Sequence, residues 1–372
     1  MEIKEISSIY SALPQCGAFL NTIADESVRH VYLKGLLASS ASVFFAAAGR
    51  ESEKGKEKSE KGKVRSEKSG EKSTLTSVFI LQDNDEAGYF YHDLTQILGT
   101  DNVLFFPSSY RRAVKYGQRD AANEILRTET LSRLSAQTAG DALYVVTCPE
   151  ALSELVVSKR RLDERTINIA VGDIVDFADL GRKMREFGFK EVDYVYEPGQ
   201  FAMRGSIIDV YSYSSELPFR IDFFGDEVDT IRTFEVADQL SKDSKQQVCI
   251  VPELAQLTEE KQPFTSLLPE DALLVMKDRL YLCSTIEKIY NDGFSQQAMT
   301  ERLEGATEVE QEQIMRDMRK ENHLVSPSKF REEICRFRLV EFGAQPSGTP
   351  QVSIEFHISP QPLFHKNFSL LT

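Results

Sequence analysis

Two short stretches carry residue types that handle a nucleotide when they are spaced correctly. In "YLKGLLASSASVFFAAAG" (32–49) an apolar run leads into Gly35, and small residues then lead into a segment able to open a buried helix. On the phosphate-loop pattern G-x-x-x-x-G-K-S/T, Gly35 takes the first glycine and Ser42 the hydroxyl, but Ser40 stands at the second glycine and Ala41 at the lysine. A working loop needs glycine so that backbone N–H groups face the phosphate, and it needs a lysine on the β and γ phosphates. The acidic partner for Mg²⁺ should close a later apolar strand, for which "LLVMKD" (273–278) is the best candidate. Lys277 and Asp278 stand there where an ATPase of this type has Asp-Glu, and an ammonium at that place repels the ion. No ATP or Mg²⁺ is therefore expected to bind. From the pattern alone two readings stay open: an eroded nucleotide site, or two sheet edges that merely carry small residues. A further mimic, Gly70, Lys72 and Ser73, has Glu71 at the glycine position and precedes its strand, whereas a phosphate loop follows one.

A second candidate site lies in "LPFRIDFFG" (217–225). The two-residue period of a strand puts Phe219, Ile221 and Phe223 on one face and Arg220, Asp222 and Phe224 on the other. An exposed aromatic beside an arginine is a common pairing at binding hot spots. "PGQFAMRGSIIDV" reads as a glycine-flanked turn that carries Arg204 into the next strand, so Arg204, Arg220 and Phe224 form a cationic and aromatic patch. The alternative pairs Arg220 with Asp222 and tucks Phe224 under the Gly225 turn. In the patch reading, Arg220→Ala and Phe224→Ala are expected to leave the fold intact.

The elements that position these residues follow from the apolar periodicity. Strands at 77–82, 102–107 and 142–149 alternate with helices at 86–99 and 119–137, which indicates a parallel sheet covered on both faces. Past residue 155 a helix presents Phe177, Leu180, Met184 and Phe187 on one stripe. Four strands then follow without an intervening helix, at 192–197, 205–213, 217–225 and 227–236, as in an antiparallel sheet. The α/β pattern resumes with a strand at 270–278, helices through about 322, Phe330, Ile334 and Phe337 at helical spacing, and a half-exposed strand at 351–358. The expected fold is α/β, a parallel sheet interrupted by an inserted α+β domain with an antiparallel sheet. Its parts are 1–154, 155–252, 253–325 and a C-terminal segment 326–372 leading into a further domain. The Lys/Glu/Ser/Gly segment 51–74 has almost nothing to bury and is expected to be a disordered loop.

Composition narrows the function classes. A formal charge of −14 over 372 residues argues against wrapping duplex DNA by a global field, leaving DNA contact weak and nonspecific at most. The five cysteines are scattered without a C-x-x-C pair, and the five histidines show no ligand spacing, so a cytoplasmic location and no metal site are expected. The N-terminus lacks the order of a signal peptide, and no apolar run approaches the roughly 20 residues of a membrane span.

The run "EPGQFAMRGSIIDVYSYSSELPFRIDFFGDEVDTIRTFEVADQLS" resembles the inserted domain shared by the nucleotide-excision protein UvrB and the bacterial transcription-repair coupling factors. "SIEFHISPQPLFHKNFSLLT" resembles the segment that follows this module in the coupling factors. The resemblance implies a UvrB-like, helicase-like α/β domain whose phosphate loop is degenerate. Gly35, Ser40, Ala41, Ser42 and Lys277 match the eroded form found in the coupling factors rather than the intact site of UvrB. It also implies that UvrA binds an arginine-and-aromatic surface, which falls by motif position on Arg204, Arg220 and Phe224. The segment 107–120 lies in the place of the DNA-threading β-hairpin of UvrB and is too short to serve as one. The implied role is an adaptor without ATPase activity that brings UvrA to stalled RNA polymerase. Polymerase contact and ATP-driven translocation would reside in other domains. The alternative is a UvrB-like, DNA-dependent ATPase.

Overall fold

Uninterrupted apolar strands must be covered on both faces, and this chain covers them by winding helices over a parallel sheet. The computed structural model describes residues 3–60, 76–109, 120–137, 142–254, 260–293 and 320–358. The first part runs α1 (Ile3–Ser11), α2 (Pro14–Ala24), β1 (His30–Lys34), α3 (Ser40–Glu60), β2 (Ser77–Ile80), α4 (Asn84–Leu98), β3 (Val103–Phe106), α5 (Ala121–Ser135) and β4 (Tyr144–Thr147). The chain then leaves this layer. It forms α6 (Pro149–Leu152), β5 (Leu155–Val157), α7 (Lys159–Glu164), β6 (Ile167–Ala170) and α8 (Phe177–Glu186). The strands β7 (Lys190–Glu191), β8 (Gln200–Arg204), β9 (Ile207–Val210), β10 (Phe219–Phe224), β11 (Glu227–Phe234), β12 (Ser241–Lys245), β13 (Gln247–Ile250) and β14 (Lys261–Pro263) follow. It returns with β15 (Leu273–Met276), α9 (Arg279–Asp292), a helix at Pro327–Ile334, β16 (Arg338–Glu341) and β17 (Val352–Glu355).

The returning strands complete the first sheet. Its order is β17-β1-β16-β15-β2-β4-β3, with every pairing parallel. β15 and β16 therefore slot between β1 and β2, and neither half of the sheet is contiguous without the other. The core contains Phe44, Phe45, Phe79, Val145, Val275 and Val340, all buried. The intervening segment forms a six-stranded sheet, β12-β11-β10-β9-β8-β7, antiparallel except for β7 with β8. Its own core joins Leu180 and Met184 of α8 to Phe201, Ile208, Ile221 and Phe223 of the strands. The stripe expected along α8 is the one it buries, with Phe177 edge-on to Phe223 at 5.3 Å between ring centroids. The chain is thus an α/β parallel-sheet fold carrying an inserted α+β unit.

Several expectations need correction. The helix α3 continues through Glu60, so the first ten residues of the low-complexity segment are helical rather than a loop; residues 61–75 lie outside the described ones. Lysine and glutamate are good helix formers, and a buried first half supplies the nucleus from which extension is cheap. Residues 192–197 are not a strand beyond Glu191. Their alternating pattern mimics one, but the N–H groups of Tyr196 and Glu197 bond to the Gln200 side chain at 2.9 and 3.2 Å instead of to a neighbouring strand. The supposed turn before Gly205 is the strand β8. β12, every residue exposed, carries no apolar signal that would reveal it. The segment compared with a DNA-threading hairpin falls mostly at 110–119, outside the described residues, as do 294–319 of the expected later helices and the end of the chain from 359.

Candidate functional site

The six residues of the nucleotide-like pattern lie at the carboxyl ends of β1 and β15, the edge where parallel α/β sheets place ligands. Each is engaged within the chain. Gly35 has φ 91°, and a Cβ there would run into the backbone carbonyl of Phe356, so it is glycine for packing against the segment after β17. The Ser40 hydroxyl accepts from the Leu37 N–H at 2.7 Å, and Ala41 is buried. Ser42 is fully buried, its hydroxyl 2.9 Å from the Ser39 carbonyl and 2.9 Å from the Asp93 carboxylate of α4. Lys277 forms an ion pair with Glu86, which also accepts the Gln82 N–H at 3.0 Å at the start of α4. Asp278 caps α9, accepting from Leu280 and Tyr281 N–H at 2.8 and 3.0 Å. β16 stands between β1 and β15, and the partners of Ser42 and Lys277 sit two turns apart on α4. Among the described residues no cluster of three or more His, Cys, Asp or Glu side chains is placed to hold a metal ion.

Arg204 and Arg220 come together on one face of the inserted sheet at the Asp209 carboxylate, while Phe224 lies four residues beyond Arg220 at the end of β10. On β10 the burial alternates as the sequence pattern requires, and Phe224 at the strand end is 82% exposed. Arg220 does not pair with Asp222. It clasps Asp209 of β9, Nε to Oδ1 at 2.7 Å and Nη2 to Oδ2 at 2.9 Å, donates to the Gln239 carbonyl at 3.1 Å, and lies 4.5 Å over the Phe234 ring. Hydrogen bonding to Asp209 holds its guanidinium above the ordinary arginine value. Arg204 reaches the same carboxylate, donates to the Asp193 carbonyl at 2.5 Å and sits 4.9 Å over the Tyr194 ring.

Sequence reasoning missed Asp209, Arg232 and Tyr194. Asp209 had a signal: a carboxylate inside the apolar run "IIDV" must find a partner if the strand is buried. Arg232 stands directly across from Arg220 in the β10–β11 register and is the partner that takes Asp222. Tyr194, half exposed beneath Arg204, was hidden by reading its segment as a strand. The face thus carries three guanidinia held by two carboxylates, with exposed Tyr194 beneath Arg204 and exposed Phe224 at the end of β10.

Residues 167–255, which contain this face, match the family model for the UvrB interaction domain. Around that domain the chain is similar to the transcription-repair-coupling factor of Bacillus subtilis, 29% identical over 239 residues covering 63% of this chain and 18% of the relative. It is also similar to that of Escherichia coli, 40% identical over 177 residues covering 47% of this chain and 15% of the relative. The chain therefore spans less than a fifth of the length of either coupling factor. The likeness to coupling factors extends the sequence resemblance from the UvrB interaction domain to much of the surrounding α/β layer. Among the described residues no helix is long and apolar enough to cross a membrane.

Proposed function

We propose that this chain is the UvrA-recruiting adaptor part of a transcription-repair coupling factor and does not itself hydrolyse ATP. The observation that carries the reading is Phe224, 82% exposed at the end of β10, the strand that also bears Arg220, within the residues that match the UvrB interaction domain. A large aromatic held out in water by a rigid strand is poised to fill a partner pocket, and arginines around it supply donors to acidic groups. Arg204, Arg220 and Phe224 are the proposed contacts. Bringing UvrA to RNA polymerase stalled on DNA is the corresponding role, with polymerase contact and ATP-driven translocation assigned to segments other than these 372 residues.

The absence of ATPase activity is supported by where the nucleotide-like residues have gone. Ala41 supplies no charge, the Ser42 hydroxyl is committed to Asp93, and Lys277 is committed to Glu86. UvrA capture by the chain, with and without ATP, tests the adaptor reading; no capture in either condition overturns it. Calorimetric titration of ATP with Mg²⁺ tests the other half. Micromolar binding or measurable turnover would restore the alternative of a DNA-dependent ATPase.

A further inference from the structure

We propose that Asp209 is the positioning residue of the docking face, its buried carboxylate presetting the Arg204 and Arg220 guanidinia for a carboxylate-bearing surface of the partner. The inference rests on the reading of this face as the UvrA contact. Asp209 is fully buried, on a central strand, between β8 and β10 in the sheet. Arg220 grips it at two points, 2.7 and 2.9 Å, and Arg204 binds its Oδ2 from the other side. One guanidinium neutralises one buried carboxylate; the second makes the cluster net cationic and fixes where both forks lie.

Each guanidinium carries five N–H donors. Arg220, 16% exposed, uses three on Asp209 and the Gln239 carbonyl, and Arg204, 37% exposed, uses two on Asp209 and the Asp193 carbonyl, so Arg204 is the more accessible fork for a partner carboxylate. Ordering a long, rotamer-rich side chain on binding subtracts from affinity, and a fork already held in place avoids that loss. The aromatic rings under both forks, Tyr194 beneath Arg204 and Phe234 beneath Arg220, restrict them further.

Positioning and simple charge make opposite predictions. Asp209→Asn removes a negative charge from the face, so an effect through the field alone strengthens attraction to an acidic partner and raises the association rate. Positioning predicts the reverse: about tenfold weaker UvrA binding, with the loss in a faster dissociation rate. The experiment measures association and dissociation rates of UvrA on the immobilised chain for the parent, Asp209→Asn and Asp209→Glu, with circular dichroism melts of each. Asp209→Glu keeps the charge and shifts the carboxylate by one methylene, so it tests position apart from charge and reports even if Asp209→Asn fails to fold. The expected result is faster dissociation from both folded variants. A parent that binds UvrA, with variants that dissociate at the parental rate, overturns the positioning role and leaves the adaptor reading standing. A parent that does not bind UvrA overturns the adaptor reading itself.

Discussion

Lys277, at the end of β15, forms an ion pair with Glu86 in the first turn of α4, and so links two neighbouring strand ends of the parallel sheet. A cation is structural at the place where the pattern of a nucleotide site calls for magnesium ligands. Supplying the lysine of the phosphate-loop pattern by Ala41→Lys therefore should not create ATP binding. Ala41 is 1% exposed, and a buried ammonium without a partner is costly, so the variant is expected to lose on the order of 3 kcal/mol or more. Urea unfolding reads the loss, and calorimetry with ATP and Mg²⁺ should remain flat.

Gly35 is expected to resist even the smallest side chain. Its φ of 91° disfavours any L-residue, and the added Cβ would meet the Phe356 carbonyl, a backbone atom unable to swing away. Gly35→Ala should lower stability by about 2 kcal/mol or more. A shift of the urea midpoint at unchanged slope is the measurement. An unaltered midpoint would show that the turn is free to relax.

Phe224 and Arg220 should separate docking from folding. Phe224→Ala removes an exposed ring and should change stability by no more than about 0.5 kcal/mol, while weakening UvrA binding about tenfold or more. Arg220→Ala leaves the buried Asp209 with Arg204 alone, and should cost about 2–3 kcal/mol of stability in addition to any loss of binding. The expectation that both variants leave the fold intact thus divides, because one contact residue also neutralises a core carboxylate. Thermal melts beside UvrA titrations distinguish the two effects, and equal melts for both variants would contradict the Asp209 geometry.

Acid should weaken the carboxyl edge through Glu341. Burial alone would push this carboxyl up, but the Ser347 and Arg279 N–H groups at 3.0 and 3.1 Å and His30 at 2.7 Å outweigh it and hold it below the ordinary value. A carboxyl lower in the folded than in the unfolded chain contributes stability above the unfolded value, roughly 4.3, and loses it as pH falls through the folded value. Glu341→Gln should therefore be less stable than the parent near neutrality, with the gap narrowing below about pH 4. Urea midpoints from pH 7 to 3 provide the check; a gap that widens on acidification would reverse the sign of the argument.

The strands 77–82, 102–107, 142–149 and 270–278 were readable because unbroken apolar runs have few other places to go, and α8 because its apolar residues recur at helical spacing. The gaps in the phosphate-loop pattern were readable as missing atoms: an alanine has no charge wherever it is placed. The arrangement of the sites was not readable, since it depends on contacts between residues distant in sequence. β15 and β16 enter between β1 and β2, and this order sets Ser42 against Asp93 and Lys277 against Glu86. The local pattern around Arg220 offered Asp222 as its partner, two residues away and on the same face. Pairing β10 with β9 brought Asp209 instead, because register across a sheet is a tertiary choice that strand periodicity leaves open.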